Sequence, residues 1–156
     1  MSNSSKKQMN DLFGREGKRP TLGTDCVIFT KRKNEWYVLL IERGHEPYKG
    51  KWALPGGFME WNESCEQSAA RELQEETLLQ NVDLKLVGVF SKPGRDPRGT
   101  IVSIAFWGVI DEKTAMVAAH GDDAANHQWF NVNKLPKLAF DHAEILASAK
   151  GKIDLF

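Results

Sequence analysis

Little in this chain points to a secreted, membrane-spanning or cross-linked protein. Two cysteines in 156 residues, Cys26 and Cys65, stand apart with no CxxC spacing, which argues against a disulfide framework or a cysteine-based zinc site. Both read as packing residues rather than nucleophiles. No apolar run approaches the about 20 residues that a membrane helix needs, and residues 1–23 hold no apolar segment of a secretory leader. Those absences lead to the expectation of a reducing cytoplasm and no membrane partner. An excess charge of one sign is missing too. With 21 basic and 21 acidic residues the net charge is +0, so no general pull toward nucleic acid or anionic lipid follows, although a local basic site fits that total.

What is present divides into a tail and one domain. Residues 1–20 are polar, with Leu12 and Phe13 as an apolar pair, and read as a loose tail or an arm that would suit a homodimer. Residues 21–156 are long enough for one substantial core. Residues 24–30 and 36–42 are β-rich, with a charged turn around Lys33 and Asn34 between them. Residues 52–57 continue as a strand into a glycine pair. Residues 84–91 and 100–110 give two more strands, the second apolar on both faces as a covered central strand should be.

The chain is organised around the stretch from Gly56 and Gly57 to Leu79. Ser64 and Gln67 have capping-box spacing, so a helix is expected from Cys65. At about 100° per residue, Glu72 and Glu76 lie about 40° apart, and Glu75 is about 60° further round the same side. Leu73, Ala69 and Ala70 then face a sheet. Three carboxylates within a turn repel one another. A hard divalent cation among them would offset that cost, while a solvated acidic face is the plainer alternative.

Gly57, Glu63, Arg71, Glu72, Leu73, Glu75, Glu76 and Leu79 stand at the spacing of the Nudix signature. On these residues the sequence resembles the Nudix hydrolases, departing only at Leu78, where that family has glycine. The resemblance implies an α/β/α sandwich around a central mixed β-sheet, and metal-dependent hydrolysis of a nucleoside diphosphate linked to another group. By position it implies that the backbone at Gly56 and the carboxylates of Glu72, Glu75 and Glu76 hold Mg²⁺ or Mn²⁺. It implies further that Arg71 and Glu63 form the ion pair that supports them.

Two further stretches, residues 92–99 and residues 138–142, are similar to the ADP-ribose pyrophosphatase branch of that family. The first carries Arg95 and Arg98 on a turn held by Pro93 and Pro97, a cationic site for phosphate, with a polar hairpin tip as the alternative. Arg43 is a second candidate for phosphate, with a solvated loop arginine as the alternative, and Trp52 is either core or a contact for a base. The resemblance also implies a further acid, as ligand or base, from the loop before the last strand, with Asp122 and Asp123 as its candidates and turn capping as the alternative. Asp141 is placed to cap a last helix. The expected reaction is hydrolysis of ADP-ribose to AMP and ribose 5-phosphate, with a small-molecule substrate and no nucleic acid. The alternatives are another nucleotide (NADH, a nucleotide sugar or an oxidised nucleoside triphosphate) and a non-catalytic ADP-ribose sensor. The same stretches are similar to the family's transcriptional regulators of NAD metabolism, which carry a winged helix after this domain; from the length of the chain, neither a winged helix nor an attached adenylyltransferase domain is expected here. At Leu78 the cost of a left-handed β-carbon predicts a helix that runs on to about Gln80 and turns at Asn81.

Overall fold

The structure, a computed structural model, describes residues 4, 5, 7, 8, 18–118 and 124–154. Leu12, Phe13, Asp122 and Asp123 lie outside the described residues. Strands β1 (Thr21–Arg32) and β2 (Glu35–Arg43) form a hairpin whose turn is Lys33 and Asn34, both at positive φ of 47° and 65°. Two left-handed residues in a two-residue turn match the twist of the strands they join.

The stretch expected as one strand through residues 52–57 is two. β3 (Trp52–Ala53) pairs with β2, and β4 (Gly56–Phe58) pairs with β1, with Pro55 between them. Proline gives no N–H to a ladder, so the chain changes partner there. Strand β5 (Lys85–Phe90) and strand β6 (Ile101–Ile110) are antiparallel, and β6 runs parallel to β1 over ten residue pairs. Strand β7 (Ala124–Asn131) adds to β2. The result is a mixed sheet of order β3-β2-β1-β6-β5, with β4 and β7 attached to β1 and β2.

Alternation along the central strands makes two cores. Val27, Phe29, Val38, Leu40, Ala105 and Trp107 face one way and pack with Ile145, Leu146, Ala149 and Ile153. Those last four belong to helix α3 (His142–Ile153), numbered after α1 (Cys65–Thr77) and the short α2 (Glu112–Ala115). Cys26, Ile28, Leu39 and Phe106 face the other way and pack with Ala69 and Leu73 of α1. A period of two along strands covered on both faces is what produces this three-layer arrangement. Ala70, expected on the sheet side, is exposed. Among the described residues no helix is long and apolar enough to cross a membrane.

Helix α1 starts as its sequence dictates. Ser64 accepts the Gln67 amide at 3.1 Å, and the Gln67 side chain accepts the Ser64 amide at 2.8 Å. Its far end contradicts the expectation. The helix stops at Thr77, and Leu78 is left-handed at φ 62°, with its amide bonded to Gln74 O at 2.9 Å. Asn81 is left-handed as well, at φ 56°. The reason is Leu79, which is 2% exposed and belongs to the α1 core. Burying a leucine is worth about 1.5–3 kcal/mol, more than the about 1–2 kcal/mol that a left-handed residue costs.

Candidate active site

Strand β1, the β3–β4 segment, α1 and the loops before β3, β6 and α3 meet around a cavity of about 390 Å³, within the usual size range of a small-molecule site. Its walls include Gly56, Gly57, Glu72 and Glu76 on one side and Arg43, Arg95 and Arg98 on another. The glycine pair has a steric cause. A β-carbon on Gly56 would lie 2.1 Å from Thr24 O, and one on Gly57 would lie 2.4 Å from the Glu72 carboxyl carbon. Only glycine lets β4 lie between β1 and the glutamate face of α1.

Arg71 is the centre of the acidic network. It forks onto Glu63, Nη2 to Oε1 at 2.7 Å and Nε to Oε2 at 3.0 Å, and donates to Phe58 O at 3.0 Å. The same guanidinium reaches Glu72 at 2.7 Å and Glu75 at 3.2 Å. The hydrogen bond to Glu63 does most to raise the Arg71 pKa, and its reciprocal pulls Glu63 down to about 2. Glu76 is buried, and its Oε2 accepts the Gly56 amide at 3.0 Å. Glu72 is half-buried and Glu75 exposed, so the three carboxylates grade from solvent to interior.

Their chemistry fits a hard divalent ion: oxygen donors only, on one helix face, beside a backbone that leaves no room for a β-carbon. Among the described residues, no group of three His, Cys, Asp or Glu side chains is set to enclose an ion. Arg71 and the Gly56 amide engage these carboxylates in the present arrangement. Cys26 is fully buried with its thiol against Ala69 O, and burial raises its pKa well above the ordinary value. Cys26 and Cys65 are both free thiols, and no disulfide joins them.

The cationic wall differs from its expectation. Arg95 forks onto Asp141, at 2.9 and 2.6 Å, and its side chain is only 4% exposed. Burial opposes that charge, but the bond to Asp141 outweighs it and leaves the Arg95 pKa raised. Arg95 therefore braces the β5–β6 loop against α3. Asp141 precedes α3 but makes no side-chain cap, because its carboxylate is committed to Arg95. Arg98 is held at its edge by Asp96 and lies with its face over Phe58 at 4.8 Å and Phe140 at 5.5 Å. Arg43 donates to Pro47 O at 2.7 Å and lies over the other neighbour, Phe140, at 4.9 Å. Burial, then the nearby Arg98 charge, lowers the Arg43 pKa. Arg43 and Arg98 are thus the half-exposed cations of the cavity. Trp52 is not in its wall; it packs edge-on against Phe130 at 4.9 Å, the core role.

Sequence reasoning missed Asp25, Ser103, Phe58 and Phe140, all in the cavity wall, and gave His142 no role of its own. Phe140 has positive φ, at 52°, which no residue pattern announces.

The NUDIX domain description matches residues 19–149. The chain belongs to the Nudix family. An ADP-ribose pyrophosphatase from Methanocaldococcus jannaschii is 44% identical over 127 residues, covering 81% of this chain and 71% of that one. A repressor from Acinetobacter baylyi, named as the ADPR responsive transcriptional repressor NtrR, is 30% identical over 139 residues; the match covers 86% of this chain and 55% of the repressor. Among solved structures, the Nudix domain of Shewanella oneidensis NrtR complexed with ADP ribose superposes at a TM-score of 0.77. It is 25% identical, with 98% of this chain and 99% of that one covered. Nudix hydrolases depend on a divalent metal.

Proposed function

We propose that this Nudix hydrolase cleaves the pyrophosphate of ADP-ribose to AMP and ribose 5-phosphate. The observation that carries this reading is the joining, in one cavity, of Glu72 and Glu76 with Arg43, Arg98, Phe58 and Phe140, while Glu75 stands outside its wall on the exposed edge of the same helix face. The 44% identity to an ADP-ribose pyrophosphatase supports the choice of substrate. Residues 21–156 form the hydrolase domain and residues 1–20 a tail or arm. A homodimer through Leu12 and Phe13, and a reducing cytoplasm suited to two free thiols, belong to the same reading.

In the reaction, a water oxygen bonds to one phosphorus and the bridging P–O bond breaks. Glu72, Glu75, Glu76 and the Gly56 backbone would hold Mg²⁺ or Mn²⁺. When bound, such an ion supplies positive charge at phosphate oxygens and acidifies water. Arg71, fixed by Glu63, keeps Glu72 and Glu75 at their stations. A glutamate of α1 takes the water proton, with Asp122 or Asp123 as the other candidates. Arg98 and Arg43 present guanidinium to the diphosphate, where charge on the leaving group grows. Phe58 and Phe140 give the cavity apolar faces that suit a nucleoside.

Product analysis on a panel of ADP-ribose, NADH, a nucleotide sugar and dGTP, each with Mg²⁺ and with Mn²⁺, tests the assignment. ADP-ribose should be the preferred substrate. Preference for dGTP would move the chain to nucleotide sanitation. The match to NtrR favours a second reading, in which ADP-ribose is bound as a signal; tight binding of ADP-ribose without cleavage would establish that one.

A further inference from the structure

Three cavity walls are tied together at the entry to α3. The Phe140 ring meets Arg43 and Arg98, and Asp141 holds Arg95. The next residue, His142, is buried and reaches Leu54, two residues before the glycine pair. Its Nδ1 accepts the Leu54 amide at 3.0 Å, and its Nε2 lies 3.4 Å from Asp25 Oδ1. A ring nitrogen that accepts carries no hydrogen, so the neutral imidazole has its proton on Nε2, toward Asp25. Asp25 Oδ2 in turn accepts the Ser103 hydroxyl at 2.5 Å. Ser103, Asp25 and His142 come from β6, β1 and α3 and make one chain, buried at Ser103 and His142 and partly open to the cavity at Asp25, that ends on the backbone of residue 54.

That backbone leads directly to the proposed metal ligand. Residues 54–56 are fixed by one bond each: the Leu54 amide on His142 at 3.0 Å, Pro55 O on the Cys26 amide at 2.8 Å, and the Gly56 amide on Glu76 at 3.0 Å. Asp25 also crowds Gly56 directly, since a β-carbon there would lie 2.5 Å from Asp25 Oδ1. Among these three bonds, only the one from His142 ties residues 54–56 to α3.

We propose that His142, backed by Asp25 and Ser103, is a positioning residue that sets where the Gly56 backbone stands relative to the α1 carboxylates. The inference rests on the reading of Gly56, Glu72, Glu75 and Glu76 as the set that holds the metal. Groups behind a metal ligand govern affinity because a misplaced ligand loses its share of the coordination energy. Burial holds the His142 pKa below its ordinary value, which keeps the ring neutral and its Nδ1 an acceptor.

The test is Mn²⁺ affinity of the nucleotide-free protein, read from the electron paramagnetic resonance of free Mn²⁺ well below the melting temperature of each variant. His142→Ala should raise the Mn²⁺ Kd by about tenfold or more. His142→Asn, whose side-chain oxygen can accept the Leu54 amide, should recover most of that loss. A folded His142→Ala with the parent's Kd would overturn the proposal, as would His142→Asn that binds no better than His142→Ala. If His142→Ala does not fold, Asp25→Ala carries the same expected loss, and a parent-like Kd there overturns the proposal. A parent protein that binds no Mn²⁺ would overturn it together with the reading of the site as metal-dependent. Parent-like affinity in all variants would strike this inference alone.

Discussion

At the scale of single residues, two arginines on one turn do different work. Arg95 is enclosed with Asp141, and removing one partner of a buried pair costs about 3–5 kcal/mol. Arg95→Ala should therefore lower the melting temperature by roughly 10 °C, a shift visible by calorimetry. Arg98 is partly exposed, its side chain at 39%. Arg98→Lys keeps a cation beside Asp96 and loses the planar fork and the ring contacts. Turnover of ADP-ribose should fall about tenfold, since a charge-assisted bond is worth about 1.5–3 kcal/mol, with little change in melting temperature. The pair Glu63–Arg71 makes a prediction about acid. Glu63 is drawn below its ordinary value of 4.5 to about 2, chiefly by the hydrogen bond from Arg71. A carboxylate with a depressed folded value stabilises the fold above its ordinary pKa and loses that contribution as pH falls through the folded one. Glu63→Gln should melt below the parent at pH 6, and the gap should close as pH falls from 4.5 toward 2. A gap that is constant with pH would mean the pair contributes through packing. The division of labour between Arg95 and Arg98 was not legible in the sequence, because both stand on the same loop and only the distant Asp141 separates their roles.

At the scale of elements, helix α1 was readable wherever its signals were local. Ser64 and Gln67 set its start, and the spacing of Glu72, Glu75 and Glu76 set its functional face. Its end depended on Leu79 finding the core beside Val82 and Leu84, a tertiary demand that overrode the local preference of Leu78. Leu78 is 54% exposed, so little burial is lost on removing its side chain. Glycine relieves about 1–2 kcal/mol of left-handed strain and costs about 0.4–1 kcal/mol through the unfolded chain. Leu78→Gly should raise the melting temperature by a few degrees and leave turnover unchanged. A lower melting temperature would show that the Leu78 side chain contributes more than its exposure allows. The split of β3 from β4 follows the same logic. Pro55 was visible in the sequence, but the choice of β1 as the partner of β4 was not.

At the scale of the molecule, the resemblance carried by the α1 signature implied two helical layers around a mixed sheet, and the structure has them, with β1, β2 and β6 alternating their buried side chains between two cores. The cavity was half legible. Glu72 and Glu76 in its wall, and Glu63, Arg71 and Glu75 behind it, were legible through the resemblance to the Nudix signature, whereas Asp25, Ser103, Phe58, Phe140 and His142 come together only through the parallel pairing of β1 with β6 and the placement of α3. Together these parts make a metal-dependent ADP-ribose hydrolase. The most direct test follows AMP and ribose 5-phosphate released from ADP-ribose with Mg²⁺, for the parent and for Glu76→Gln. Glutamine can still accept the Gly56 amide, so the fold should persist while the charge is lost. The parent should release the two products equally and release none after chelation, and Glu76→Gln should turn over at least ~100-fold more slowly at an unchanged melting temperature. Parent-like turnover in Glu76→Gln at saturating Mg²⁺, or ADP-ribose that binds and stays intact in the parent, would contradict that reading.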